Sequence, residues 1–294
     1  MTTLPNDTPA VIEARGLHKV FRDFWGRPKV RAVQDLTLEV RSGEIFGLLG
    51  PNGSGKSTTI KMLLGLLYPT SGELRVMGRS PRDAVTREHL GFMPEESYLY
   101  KYLTAQETLE FYAALGGLSG PARRKRVDEM IELMGLSGAR HRRVGEFSKG
   151  MARRVGFAQA LIHDPDLLLL DEPTSGLDPI GCRQVKDLIL DLARRGKTIL
   201  VCSHHLADMQ DVCDRVAILL DGRVCAQGSV KDLVRQPDTW RVTLEGVDAA
   251  LRDRLVTYLQ EQCGRPVAVE PAGRSLEALF VDVVTRQRAA NPPP

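Results

Sequence analysis

The sequence predicts an α/β protein whose core is a largely parallel sheet covered by helices. Two observations carry that prediction. Ile45 to Leu64, IFGLLGPNGSGKSTTIKMLL, runs from a short apolar strand through a glycine-rich turn into an apolar-periodic helix. Further on, the apolar run Leu167 to Leu170 lies between two helical stretches, with another strand at Thr198 to Cys202; this alternation is the pattern of a sheet buried on both faces.

In chain order, residues 10 to 49 read as strands, Val11 to Ala14 and Val30 to Val40 mixing β-branched with polar residues before the turn Arg41-Ser42-Gly43-Glu44. Between them Phe21, Phe24 and Trp25, with Lys19, Arg22 and Arg27, read as a packed loop rather than a ligand platform. After the first helix, Tyr68 to Gly72 is a turn, and short strands follow at Glu73 to Met77 and Gly91 to Met93. Thr104 to Arg143 is helical, broken by Gly116 to Pro121, and forms a helical insert at about 104–152. Its basic runs, Arg123 to Arg126 and Arg140 to Arg143, read as solvated helix faces. Helices are expected from Ala152 to His163 and Ile180 to Arg194, and a hairpin around Asp221-Gly222. From 232 to 285 the pattern is that of a small α/β appendage: alternating Trp240 to Leu244, amphipathic Leu251 to Glu261, a strand at Pro266 to Val269 and a helix at Ser275 to Val284. The tail 286–294, ending in three prolines, reads as disordered.

Composition narrows the function only slightly. The 294 residues hold 40 basic and 37 acidic side chains, a net +3, so charge gives no argument for nucleic acid and none is expected as a partner. No stretch approaches the ~18 consecutive apolar residues of a membrane span, and the polar start is unlike a secretion signal. A cytosolic chain, held at a membrane only by another protein, is the expectation. Five widely spaced cysteines without a CxxC pair read as reduced thiols.

The chemistry concentrates at Gly50 to Ser57, which has the spacing G-x-x-x-x-G-K-S. Asn52, Gly53, Ser54 and Gly55 would turn backbone N–H groups toward a triphosphate, and the helix behind them adds its unpaired donors. Lys56 would reach the β and γ phosphates and the Ser57 hydroxyl a magnesium ion. Asp171, at the carboxyl end of the apolar strand, is the expected Mg²⁺ carboxylate, and Glu172 the general base for the attacking water. His204, after the next strand, is placed to contact a γ-phosphate oxygen. Ser148 reads locally as no more than a helix cap before Lys149 and Gly150.

Taken together these motifs, in this order over residues 10 to 230, resemble the ATP-binding subunits of ABC transporters, in particular those of bacterial export systems with separately encoded permeases. The resemblance implies an antiparallel β subdomain beside a RecA-like sheet, together a nucleotide-binding domain over 1–231, and ATP and Mg²⁺ as ligands. Phe21 falls where the family stacks an aromatic on adenine, and Thr58 helps to hold phosphate. Phe147 to Met151, FSKGM, departs from the LSGGQ signature but keeps Ser148 and Gly150, which contact the γ phosphate bound by another subunit. Asp178, in Ser175 to Asp178, lies on the loop that crosses between subunits. Glu95 stands where most relatives have a Gln that senses the γ phosphate and the permease; it keeps an oxygen for Mg²⁺ but lacks the amide donor. The resemblance thus implies an ATPase at the cytoplasmic face of the inner membrane, paired head to tail with a second copy or a paralogous subunit and docked on an integral membrane permease. A soluble ATPase of the same type acting on ribosomes or DNA, and a nucleotide-gated regulatory module with little turnover, are the alternatives.

Overall fold

The structure, a computed structural model, describes residues 9–235 and 248–263. Contacts divide the chain into one unit up to Val234 and another from Arg235. In the second, the expected amphipathic stretch is a helix, Ala249–Cys263. The strands expected at Trp240 to Leu244 and Pro266 to Val269, the helix at Ser275 to Val284 and the tail 286–294 lie outside the described residues.

The first unit opens with an antiparallel hairpin, β1 (Ala10–Arg22) and β2 (Pro28–Arg41). With β4 (Ser71–Val76) it makes a three-stranded sheet in the order β2-β1-β4. The second sheet has six strands. β5 (Leu90–Met93), β6 (Leu167–Asp171), β7 (Thr198–Ser203), β3 (Ile45–Leu49) and β8 (Arg215–Leu220) are parallel in that order, and β9 (Arg223–Ser229) adds an antiparallel edge.

All five residues of β3 and of β6 are buried because both faces of this sheet are covered. One side, with Ile45, Leu49, Leu168, Leu170, Ile199 and Val201, packs on α3 (Ala105–Leu115), α4 (Gly120–Leu133), α5 (Lys149–Leu161) and α6 (Pro179–Arg194). The other, with Phe46, Leu48, Leu167, Leu169 and Leu200, packs on α1 (Lys56–Leu63) and the antiparallel sheet, and a short helix, α2 (Ala84–Glu88), precedes β5. Each fully buried leucine contributes roughly 1.5–3 kcal/mol over an exposed one, so the apolar tetrad of β6 is held without alternation.

Several expectations are corrected. β1 extends eight residues past Ala14, its pairing with β2 broken by register shifts that interrupt the polar–apolar alternation. Phe24 and Trp25 are no packed loop: they stand at the hairpin tip, 95% and 74% exposed, edge to face with each other. Ser71 and Gly72 belong to β4 and not to a turn. α5 begins at Lys149, three residues before the periodic stretch, capped by Ser148 accepting from the Met151 N–H. The basic runs are partly tied down: Arg126 donates to the Leu161 and Ile162 carbonyls at the end of α5, and Arg140 pairs with Asp128.

Candidate nucleotide site

The register of the parallel strands decides where the site forms. Leu48 of β3 lies opposite Cys202 of β7, which lies opposite Asp171 of β6. The carboxyl ends of three adjacent strands therefore deliver the Gly50 to Gly55 loop, Asp171-Glu172 and Ser203-His204 to one edge, where parallel sheets hold ligands.

The loop is a cradle that side chains would fill. A Cβ at Gly50 would lie 2.3 Å from the Leu219 carbonyl oxygen, and one at Gly55, whose φ is +106°, 2.5 Å from that of Ala32. Gly55 is also the N-cap of α1 and offers no side-chain cap, so the helix's first N–H donors stay available to an anion. Asn52 and Gly53 are exposed at the tip, Ser54 is buried with an unpartnered hydroxyl, and Ser57 is exposed while Thr58 is half-buried.

Lys56 is buried, its ammonium donating to the carbonyls of Gly50 (2.7 Å) and Pro51 (3.2 Å) and lying 3.7 Å from Glu172 Oε1. Glu172 is 4% exposed and holds a left-handed backbone, φ +48°, a conformation costly for a non-glycine residue. Its N–H donates to the Cys202 carbonyl, and Oε2 accepts from the Ser203 hydroxyl at 3.2 Å. Oε1 sits 2.9 Å from His204 Nδ1, close but not aligned as a hydrogen bond, which leaves this buried oxygen able to accept another donor such as water. Burial pushes the Asp171 carboxyl above its ordinary pKa, a hydrogen bond from Ser57 pulls it back, and the charges of Glu172 and Glu95 raise it further. Asp171 Oδ1 has no partner.

Among the described residues no group of three or more His, Cys, Asp or Glu is arranged to hold a metal by itself. Ser57 with Asp171, and Glu95 within reach of Asp171's charge, instead suit a cation that takes its other ligands from phosphate. The orphaned Asp171 oxygen is the acceptor such a cation would satisfy, and that of Glu172 is left for water.

Four expected residues lie on other elements. Ser148 is exposed at the start of α5, beside Gly150. Asp178 caps α6, accepting from the Gly181 N–H at 2.6 Å. Phe21 lies opposite Val30 near the end of β1, 39% exposed, with the Lys19 ammonium 5.3 Å from its ring centre; Ala32, two residues beyond Val30, is the neighbour of Gly55. Two residues escaped the sequence reading. Ser203 holds Glu172, and Arg153 of α5 buries its guanidinium among backbone carbonyls. The signal for Arg153 was its place on the apolar face: Gly156, Phe157 and Ala160, three, four and seven residues on, are buried with it.

Comparison with known proteins gives this geometry its family. The ABC transporter family profile matches residues 33–175. An uncharacterized ABC transporter ATP-binding protein of Nostoc sp. is 43% identical, the match covering 96% of this chain and 92% of that protein. This chain is an ABC transporter ATP-binding protein. Among its family, a fluoroquinolones export ATP-binding protein of Mycobacterium tuberculosis is 42% identical over 94% of both chains. The dimeric post-hydrolysis structure of the ATP-binding cassette MJ0796, bound to ADP and Pi, superposes with a TM-score of 0.68 at 27% identity, covering 74% of this chain and 98% of the cassette. This ABC protein accordingly has the fold of those cassettes, binds nucleotide and is an ATPase of a transport system.

Proposed function

We propose that this ABC protein energises export of small drug-like molecules through a separate membrane permease, working as a head-to-tail pair that encloses two ATP. The observation that carries the catalytic part is the buried Glu172 carboxylate, held between Lys56 at 3.7 Å and His204 at 2.9 Å. Export, and drug-like cargo, rest on the likeness to the fluoroquinolones export protein over nearly the whole chain.

ATP enters with its phosphates in the Gly50 to Gly55 cradle. Lys56 gives up the Gly50 and Pro51 carbonyls for the β and γ phosphates, and Phe21 stacks on adenine. A magnesium ion held by Ser57, Asp171 and Glu95 would neutralise charge on the phosphate oxygens. Glu172 orients a water in line with the γ phosphate and takes its proton as the new P–O bond forms and the bond to the β-phosphate oxygen breaks, leaving ADP and phosphate. His204 donates to a γ-phosphate oxygen. Exposed Ser148 and half-buried Gly150 complete the site of the partner subunit, with Asp178 on the crossing loop. The partner is a second copy or a paralogous subunit, and the permease keeps the pair at the cytoplasmic face of the membrane.

Purification of the tagged chain from detergent-solubilised membranes tests the transport part. A multispan membrane protein in stoichiometric amount is expected; recovery with ribosomes or DNA and no membrane protein would overturn it.

A further inference from the structure

Arg153 lies five residues past Ser148 on α5, about 7.5 Å along the helix axis. The residue is 7% exposed, and none of its hydrogen bonds goes to a carboxylate. Nε donates to the Pro173 carbonyl at 3.1 Å, Nη1 to those of Pro94 (3.1 Å) and Glu95, and Nη2 to those of Asp171 (3.3 Å) and Glu172. Five N–H donors thus meet five carbonyls on two separate segments, which uses the whole capacity of the side chain. Burial pushes the guanidinium's pKa below its ordinary value, and the nearby charges of Glu95, Asp171 and Glu172 offset part of that cost.

The two segments are those on which turnover depends. One carries Asp171 and Glu172, the latter with its left-handed φ of +48°; a carbonyl anchored there resists relaxation of that backbone. The other carries Glu95. α5 also fits tightly against this second segment, since a Cβ at Gly156 would lie 2.6 Å from Ser97 Oγ. The helix that begins at Ser148 is therefore joined to both segments through one side chain.

We propose that Arg153 is a positioning residue for ATP hydrolysis: it clamps the 94–95 and 171–173 backbones to α5, so that Glu172 stays aimed when a partner's nucleotide engages Ser148. This rests on Glu172 acting as the base. The role needs the planar fork, because a lysine has three donors on one atom and cannot span both segments.

The test uses the full chain with Mg²⁺, comparing Arg153→Lys and Arg153→Gln with wild type well below each variant's own Tm. Affinity for trinitrophenyl-ATP is expected to stay within about 3-fold, since the phosphate cradle on β3 and α1 is untouched, while kcat falls at least ~10-fold, as small misplacements of catalytic groups do. Three results would overturn the proposal: a kcat within about 3-fold of wild type in a folded variant, affinity and kcat falling together with Tm, or failure of both variants to fold, which would assign Arg153 to folding alone. Glu172→Gln, assayed in parallel, separates the two ideas. If it keeps turnover, the base assignment has failed; if it loses turnover while Arg153→Lys does not, only the clamp has.

Discussion

Glu172→Gln is the perturbation that reads most from the site. Volume and backbone are kept, so the Cys202 and Ser203 contacts can persist, but the group that accepts the water's proton is gone. Loss of a general base costs about 10²–10⁴ in rate, or roughly 3–5.5 kcal/mol of barrier. The substitution also removes the charge 3.7 Å from Lys56. At an effective dielectric constant near 20 that attraction is about 4 kcal/mol before desolvation is counted, and Lys56 keeps only its Gly50 and Pro51 carbonyls. The nucleotide-free variant should therefore melt below wild type, and saturating Mg-ATP should raise its Tm by more than it raises that of wild type, because the γ phosphate replaces the missing anion. Phosphate release by a colorimetric assay gives the first quantity and differential scanning fluorimetry the second. Phosphate release within about 3-fold of wild type would refute the assignment of Glu172 as base.

Two further outcomes follow from the same geometry. For Asp171→Asn, the raised carboxyl pKa means that the ionised group destabilises the nucleotide-free fold, a penalty that sets in as pH rises above its ordinary value of 3.8. The variant's Tm should exceed wild type's at neutral pH, the gap closing at lower pH, with Mg-ATP turnover lost; a gap that widens on acidification would contradict this. For Gly55→Ala, the added Cβ meets the Ala32 carbonyl at 2.5 Å from a φ of +106°, a strain of about 1–3 kcal/mol. Calorimetry should show a Tm lower by several degrees, and fluorescent-nucleotide titration a weakened affinity.

What the sequence made legible depended on how many constraints each segment obeys. The Gly50 to Ser57 loop is dictated by backbone geometry and anion chemistry together, and it lies where its spacing puts it. The tetrad Leu167 to Leu170 reads as a strand because burial on both faces removes any polar alternation. Short helices at Ala84–Glu88 and Val230–Val234 went unseen, since five residues hold little more than one turn of periodicity. The apolar periodicity of α5 begins only at Ala152, after Gly150, a poor helix former, but its start was legible in Ser148 as the cap. Phe24 and Trp25 misled because aromatic residues favour burial on average, and only the hairpin's length lifts them clear. Arg153 and Ser203 act through contacts with segments distant in sequence, so no local pattern declares them, apart from a charge standing on an apolar face.

A nucleotide held by one chain is completed, on this mechanism, by Ser148 of another. Light scattering of Glu172→Gln with and without Mg-ATP measures this directly. The mass should double, from 32.5 kDa to about twice that, on adding Mg-ATP, and placing Ser148→Arg in the same chain should hold it at the monomer value while nucleotide still binds. In protein shown to bind Mg-ATP, an unchanged mass would exclude a second copy as the partner, and a doubling that survives Ser148→Arg would contradict pairing through Ser148.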